Sequence, residues 1–416
     1  MRVLVFTPFN PVSGRSGAHR RILEMLFALR SAGSSVHLAS CESTTENPWT
    51  DQARAWLAQE ACVDGLSVFT QPARRPLRGL PERAWSYMKR RAGGLAQRVE
   101  PSASDSTTVE MRRWFRQLVA GRSWDRIVMN YVGFSPLLPE STRGARTVLE
   151  THDLVSLHAK MSRAIARYIP DGPIFEPDAL PEHALELGFY DDLALQADDA
   201  EYRGIDRYDV ALAITTSEAV AMRAHTRHAR IVTIPMPGVP AARRAEHGTS
   251  ALFPMGPHAF NLQGYAWFVR RVLPRIRIAC PGFELGVSGT LYRHTTLTYR
   301  ENVRILGFVA DPRQLWGLAR FLVNPVFGGT GQPIKTIEGM ASGIPPVILE
   351  RFAHAAPVQH GVNGFIARDE HDFADHCVHL WNDPQLCWRM GQAAIETIER
   401  TCSRAQFVTQ VSEALA

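Results

Sequence analysis

Lysine is scarce in this chain, because only Lys89, Lys160 and Lys335 occur among its 46 basic residues and all the others are arginines. Long hydrophobic runs are missing too, which excludes an ordinary membrane-spanning helix. The six cysteines never form a C-x-x-C pair, so neither a zinc site nor a disulfide framework is indicated. The first apolar stretch ends at Thr7 and Pro8, too early for a signal peptide. We therefore expect a cytoplasmic protein in a reducing compartment.

The composition is that of a globular protein of two ordinary domains, with 416 residues, 45% hydrophobic and 21% charged. These values exclude a disordered chain and a small disulfide scaffold. The net charge of +5 permits an acidic partner such as a phosphate or an anionic membrane. No aromatic platform or recognition motif accompanies the arginines, so a nucleic-acid partner is not expected.

Short apolar runs alternate with segments of helical period along the whole chain, which predicts an α/β protein with parallel, doubly wound sheets. The pattern restarts after the charged stretch 237–250. We predict an N-terminal Rossmann-like domain over 1–245, a second one over 246–395, and a helical tail over 396–416 that packs back on the first domain. Two such domains place their ligand-binding loops across a cleft from each other. The predicted strands are 1–9, 36–39, 127–130, 147–150, 210–215, 231–235, 251–253, 285–288, 303–306, 321–324 and 346–349.

The most informative segment is 324–345, where a predicted strand runs into a glycine-rich loop and then a helix. Free N–H groups and the positive end of the helix dipole attract a phosphate there, and Lys335 adds a full charge. Glu338, one turn further on, is placed to accept from a ribose hydroxyl. The alternative is an ordinary tight turn with a surface pair between Lys335 and Glu338.

This segment resembles the GT-B glycosyltransferases of glycosyltransferase family 4, whose corresponding loop and helix read roughly G-x-G-x-x-x-K-x-x-E-x-M-A-x-G-x-P. The similarity extends to 261–276, 285–289 and 307–311. It is weakest over 42–125 and 162–200. The matching residues are Gly329, Gly331, Lys335, Glu338, Met340, Ala341, Gly343 and Pro345.

The resemblance implies retaining transfer of a sugar from a nucleoside diphosphate sugar, UDP- or GDP-linked, without a metal ion or other cofactor. The nucleotide would lie in the C-terminal domain and the acceptor in the N-terminal one. Glu338 matches the second glutamate of the family's E-x7-E motif, which usually binds ribose. The first glutamate is replaced by Thr330, and the family's Arg and Lys after the first C-terminal strand are missing from 255–261. Both departures affect donor recognition.

In the N-terminal half, Gly14, Gly17 and the helix after them resemble the family's first loop, beside the donor diphosphate. Arg20 or Arg21 on that helix is a candidate phosphate ligand, and we select Arg21 for the donor site. The alternative is a normal turn followed by two solvated arginines.

His152 and Asp153 follow the predicted strand 147–150, so they lie at a strand end that faces the cleft. His152 resembles the family's histidine near the donor sugar. Asp153 is a candidate for binding the acceptor hydroxyl or acting as its base, and its alternative role is a helix N-cap. Together with Lys335 they form the predicted catalytic set. Glu201 matches a recurring family glutamate, without an assigned chemistry.

A basic segment over 74–98 carries eight basic residues against Glu82, so the rest of the chain is slightly acidic. A short amphipathic helix there would attach to the inner face of the plasma membrane or bind an acceptor. The alternative is a solvated surface loop. The residues selected for this membrane or acceptor role are Arg83, Trp85, Lys89, Arg90 and Arg91.

We therefore predict a glycosyltransferase that acts on a glycan, a glycolipid or a lipid-linked acceptor in bacterial surface glycan synthesis. Two alternatives stay open: an epimerase or phosphorylase on the same architecture, and a non-catalytic nucleotide-sugar-binding scaffold. The sequence alone leaves the sugar, the acceptor and the oligomeric state open.

Overall fold

The computed structural model describes residues 1–12, 16–42, 48–60, 63–70, 105–239 and 248–416. It contains two large parallel sheets, each with helices on both sides, so the predicted pair of doubly wound α/β units is confirmed. Within the described ranges, no helix is both long enough and apolar enough to cross a membrane.

The first sheet has seven strands in the order β3-β2-β1-β4-β5-β7-β8, all paired in parallel. The interior strand β1 is buried from Val3 to Phe6, as expected for a strand covered on both faces. The strands are β1 Arg2–Thr7, β2 Ser35–Cys41, β3 Gly65–Phe69, β4 Arg126–Asn130, β5 Arg146–Glu150, β7 Val210–Ala213 and β8 Arg230–Thr233. The helices of this half are α1 Gly17–Ser31, α2 Asp51–Gln59, α3 Val109–Gly121, α4 Val155–Ala166, α5 Asp199–Ile205 and α6 Thr216–His225.

The second sheet has six parallel strands in the order β12-β10-β9-β13-β14-β15. Its first long helix passes through a π-helical turn at Phe268–Val272, just before Pro274, whose missing N–H interrupts the α-helical bonding. The strands are β9 Ser250–Met255, β10 Leu285–Gly289, β12 Val303–Gly307, β13 Ala319–Asn324, β14 Pro346–Leu349 and β15 Phe365–Ala367. The helices are α7 Ala259–Trp267, α8 Leu273–Ala279, α9 Pro312–Leu318, α10 Ile334–Ala341, α11 Glu370–Asn382, α12 Pro384–Thr401 and α13 Arg404–Leu415.

Residues 161–190 cross from the first half of the chain to the second sheet, and we call this segment the arm. Its strand β6, Ile174–Phe175, pairs in parallel with β11, Thr296–Leu297. Its apolar side chains lie in the core cluster of the second sheet, and Gln263 donates to the carbonyl of Ala184 at 2.7 Å. The predicted range 1–245 for the N-terminal domain needs correction here, because the arm buries its apolar side chains against the other domain.

The C-terminal helix α13 packs on α1 of the first half. Phe407 and Val411 share a core cluster with Ile22 and Met25. The guanidinium of Arg404 binds both carboxylate oxygens of Glu24, at 2.6 and 2.7 Å. The helix begins at a capping box formed by Ser403 and Gln406.

Several predictions lie outside the described residues. These are the basic segment with Arg83, Trp85, Lys89, Arg90 and Arg91, the loop residue Gly14, and the domain boundary at 245.

Candidate active site

The C-terminal wall of the cleft is the segment predicted to bind the donor. After β13 the chain turns at Gly329, whose φ of 107° is in the region that favours glycine. Helix α10 then begins at Ile334, directly after Pro333. Within its first two turns, the ammonium of Lys335 lies 3.2 Å from the carboxylate of Glu338. The surface pair between Lys335 and Glu338, which was the alternative interpretation, is therefore present.

The N-terminus of α1 lies directly against the N-terminus of α10. A Cβ atom added to Gly17 would lie only 2.3 Å from Cδ1 of Ile334, so a larger residue there would require the Ile334 side chain to move. One turn into α1, the guanidinium of Arg20 binds the carboxylate of Glu338 across the cleft. Two helix N-termini and two cations, Arg20 and Lys335, thus converge on one point, which is a favourable environment for an anion.

Arg21 does not reach this point, so its selection as a donor ligand needs correction. Its side chain is 1% exposed, and its Nε lies 2.8 Å from the carboxylate of Glu150 at the end of β5. Its terminal guanidinium nitrogens are buried, without a hydrogen-bond partner among the described residues. Successive helical residues point about 100° apart, and this rotation puts Arg20 in the cleft and Arg21 in the core.

His152 lies just behind the cleft surface and is held in one orientation. Its backbone has a positive φ of 61°, its ring stacks on Tyr131 with centroids 4.2 Å apart, and its Nε2 lies 2.7 Å from Oδ1 of Asn130. Because the amide oxygen only accepts, Nε2 carries the hydrogen. Burial and the charge of Arg21 hold the pKa of His152 well below its ordinary value, so the ring is neutral.

Asp153 is the contact point between the two domains on this side. The hydroxyl of Thr330, from the donor loop, donates to its carboxylate, and Nδ1 of His158 lies 2.9 Å away. Burial by itself would raise the pKa of Asp153, but the hydrogen bond and charge of His158 and the Thr330 hydroxyl lower it. Asp153 is therefore a stable carboxylate. Its predicted alternative, a helix N-cap, is not observed, because Leu154 precedes α4.

A second acid, Glu218, lies beside Asp153 on α6. Burial and the negative charge of Asp153 raise the pKa of Glu218 well above its ordinary value, so Glu218 binds a proton more readily than Asp153 does. The pKa of His158 is lowered by burial and raised by Asp153, with a net increase. Beside the donor loop, Glu218 and His158 thus favour their protonated forms and Asp153 favours its ionised form.

Residues 250–383 match the family model described as glycosyl transferases group 1. Across the chain, HepE from Anabaena in complex with UDP and glucose is 14% identical, with 100% of this chain and 99% of that chain covered and a TM-score of 0.60. A Staphylococcus aureus TarM variant in complex with fondaparinux, alpha-GlcNAc-glycerol and UDP is 9% identical, with 100% and 99% covered and a TM-score of 0.62. Sucrose-phosphate synthase from Thermosynechococcus elongatus is 12% identical, with 99% and 97% covered and a TM-score of 0.60. The search of curated sequences found no significant match.

Residues 250–383 are thus a group 1 glycosyltransferase segment, and the chain as a whole has the GT-B fold. The predicted fold is thereby confirmed, and the matched segment agrees with the predicted enzyme class. The matched segment contains Gly329, Thr330, Gly331, Lys335 and Glu338, all in the wall described above.

Three side chains of this candidate site were not selected from the sequence: His158, Glu218 and His258. The ring of His258, just before α7, lies 5.6 Å from that of His158. Glu218 has a local signal, because Thr215 and Glu218 form a capping box at the start of α6, but that signal indicates only a helix start. Glu201, which had no assigned chemistry, accepts from the backbone N–H groups of Val155 and Ser156 and so fixes the start of α4.

Proposed function

We propose that this glycosyltransferase moves a hexosyl group from a nucleoside diphosphate sugar, UDP- or GDP-linked, to a glycan, glycolipid or lipid-linked acceptor in bacterial surface glycan synthesis. The reaction proceeds with retention and without a metal ion. The observation that carries the proposal is the convergence of Arg20 and Lys335 at two abutting helix N-termini. That arrangement supplies positive charge to a diphosphate from both domains at once.

In the structure, the carboxylate of Glu338 is paired with both cations, Arg20 and Lys335. When a nucleotide binds, Arg20 and Lys335 turn to the phosphate oxygens, and Glu338 is released to accept from the ribose hydroxyls. Arg20, which comes from the opposite domain, thereby takes the place of the family's arginine that is missing from 255–261. Because Arg20 and Lys335 belong to different domains, the phosphate site is complete only when the two domains lie against each other.

The bond from the anomeric carbon to the diphosphate oxygen breaks, and a bond from that carbon to the acceptor oxygen forms on the same face. The acceptor proton passes to the leaving phosphate or to Asp153, which is ionised and lies at the donor loop. Arg20 and Lys335 stabilise the negative charge that develops on the diphosphate. His152, which burial keeps neutral, is held by Asn130 and Tyr131. These contacts fix the turn after β5 beside the sugar.

The substitution at Thr330 fits this arrangement. A glutamate at that position would place a second carboxylate against Asp153, with Glu218 already close by. Threonine instead donates a hydrogen bond to Asp153, so the carboxylate beside the donor sugar comes from the N-terminal domain.

The test is to incubate the protein with UDP-glucose or GDP-mannose and with candidate glycoside acceptors, and to follow products by mass spectrometry. Nuclear magnetic resonance of the product then gives the anomeric configuration. We expect transfer with retained configuration and undiminished activity after treatment with a chelator. Tight UDP binding without turnover of any donor would favour the scaffold alternative, and inversion of free donor without an acceptor would favour the epimerase.

A further inference from the structure

A cavity of about 470 Å³ opens beside the donor loop, between α4, α6 and the end of the arm. One end of this cavity is formed by Thr330 and Glu218, which are the neighbours of Asp153. Most of the remaining wall is apolar. Its apolar side chains are Leu154, Leu157, Met161, Leu195, Ala221 and Phe352.

Three of the other polar side chains of the wall, Arg351, Asp191 and Tyr190, are bound to protein partners, and Ser217 and the exposed His354 also line it. The guanidinium of Arg351 holds the carboxylate of Asp191 in a two-bond pair at 2.6 and 2.8 Å. The hydroxyl of Tyr190 donates to Gln263 at 2.6 Å. Thr330, Ser217 and Glu218 therefore offer hydrogen-bonding groups to a ligand at the Asp153 end, and His354 offers one elsewhere in the wall.

This distribution of polar groups selects between possible occupants. A diphosphate requires cations, and the arginine that lines the cavity, Arg351, is engaged by Asp191. A purely polyhydroxylic ligand would leave hydroxyl groups against apolar walls without hydrogen-bond partners, which is costly. A compound with one hydroxyl at Asp153 and an apolar group along Leu157 and Ala221 satisfies both ends of the cavity.

We propose that this cavity is the acceptor site and that it takes an amphipathic acceptor, a sugar or other hydroxylated head with an apolar group attached. The inference rests on the proposed function, since it places the acceptor opposite a sugar donor bound at Lys335. The apolar group lies against the wall of α4 and α6, and the reacting hydroxyl lies at Asp153. Each apolar group removed from water contributes to affinity in proportion to its buried area.

The test compares phenyl β-D-glucoside with methyl β-D-glucoside, titrated calorimetrically into the protein with and without saturating UDP. These probes share their hydroxyl groups and differ in the apolar group. We expect the phenyl compound to bind at least about tenfold more tightly than the methyl compound.

The matched variants are Ala221→Gln and Val220→Gln, which place the same side chain on neighbouring residues of α6. Ala221 lines the cavity, whereas Val220 is 59% exposed and does not line it. Ala221→Gln should remove the preference for the phenyl compound, and Val220→Gln should retain it. A second cavity variant, Leu195→Asn, should act like Ala221→Gln.

Equal binding of the two glucosides, binding of neither, or a preference that survives both cavity variants would overturn the inference. Failure of UDP to bind would contradict the proposed function instead. In that case the titrations without UDP still decide the nature of the cavity.

Discussion

The two walls of the cleft are built in different ways. The C-terminal wall is one continuous segment, in which Gly329, Lys335 and Glu338 are fixed by a turn and a helix close together in sequence. The N-terminal wall is assembled from separate elements: Arg20 on α1, His152 and Asp153 after β5, and Glu218 on α6.

The walls also differ in their electrostatics. The C-terminal wall and Arg20 present paired charges near solvent, suited to exchange partners with an incoming anion. Behind them, Arg21, Glu150 and His152 are buried and fixed. We therefore expect substitutions in the C-terminal wall and at Arg20 to affect ligand binding and turnover. Substitutions among the buried residues behind them should affect folding.

Arg21→Met should have the largest effect, and it should act on stability. It leaves the carboxylate of Glu150 buried without its ion-pair partner, which costs about 3–5 kcal/mol in the free energy of unfolding. Urea denaturation followed by circular dichroism measures this loss. The control is Arg20→Met on the same helix, which should change stability little. Recovery of most of the loss in the double variant Arg21→Met with Glu150→Leu would identify the unpaired charge as its cause.

Lys335→Ala should have the next largest effect, and it should act on turnover. Removing a cation that faces the developing charge on the diphosphate lowers the transfer rate by about 10²–10³-fold. Steady-state kinetics with the active donor measures it. Lys160→Ala is the control, since Lys160 binds the carboxylate of Asp198 and a backbone carbonyl away from the donor loop. An unchanged rate for Lys335→Ala would remove this residue from the site.

Asp153→Asn separates acceptor chemistry from donor binding. The amide retains the shape of the carboxylate but does not take a proton, so transfer should fall about 10²-fold. The affinity for UDP, measured by calorimetry, should remain unchanged. Asp192→Asn, on an exposed residue just beyond the arm, should leave both quantities unchanged. A parallel loss of UDP affinity would place Asp153 on the donor side instead.

Arg20→Met sharpens the contrast between the two adjacent arginines. Loss of its charge-assisted hydrogen bond to the diphosphate should weaken UDP binding about tenfold, equivalent to about 1.4 kcal/mol. Calorimetric titration gives the dissociation constant. Arg30→Met, near the other end of α1, should bind UDP normally. Normal binding by Arg20→Met as well would contradict the proposed contribution of α1 to the donor site.

The smallest effect concerns pH and Glu218. Folding raises the pKa of Glu218 above its ordinary value of 4.5, so its protonated form stabilises the folded state. That contribution is complete below pH 4.5 and is lost as pH rises through the raised value. Glu218→Gln should therefore lessen the fall in stability with rising pH, measured by urea denaturation across that range. Glu110→Gln, an exposed glutamate on α3, should leave the slope as it is.

Much of the fold could be predicted from the periodicity and spacing of apolar residues along the chain. The strand Pro346–Leu349 matches its predicted bounds, and most other predicted strands differ only at their ends. The helix Ile334–Ala341 lies within the segment 324–345, where a helix after the loop was predicted. The arm was missed because its residues form short 3₁₀ turns and a two-residue strand, β6. Such segments have no helical or strand period, and their apolar residues are explained only by the sheet they cover.

The sequence by itself determined the donor loop and the helix that follows it, because contacts between residues three or four apart are set by helix geometry. Only the tertiary structure decided that Arg20 faces Glu338 while Arg21 faces Glu150. It also decided that Asp153 meets Thr330 and that the arm joins the second domain. These contacts join residues far apart in the chain, so they depend on how two domains pack and not on local preference.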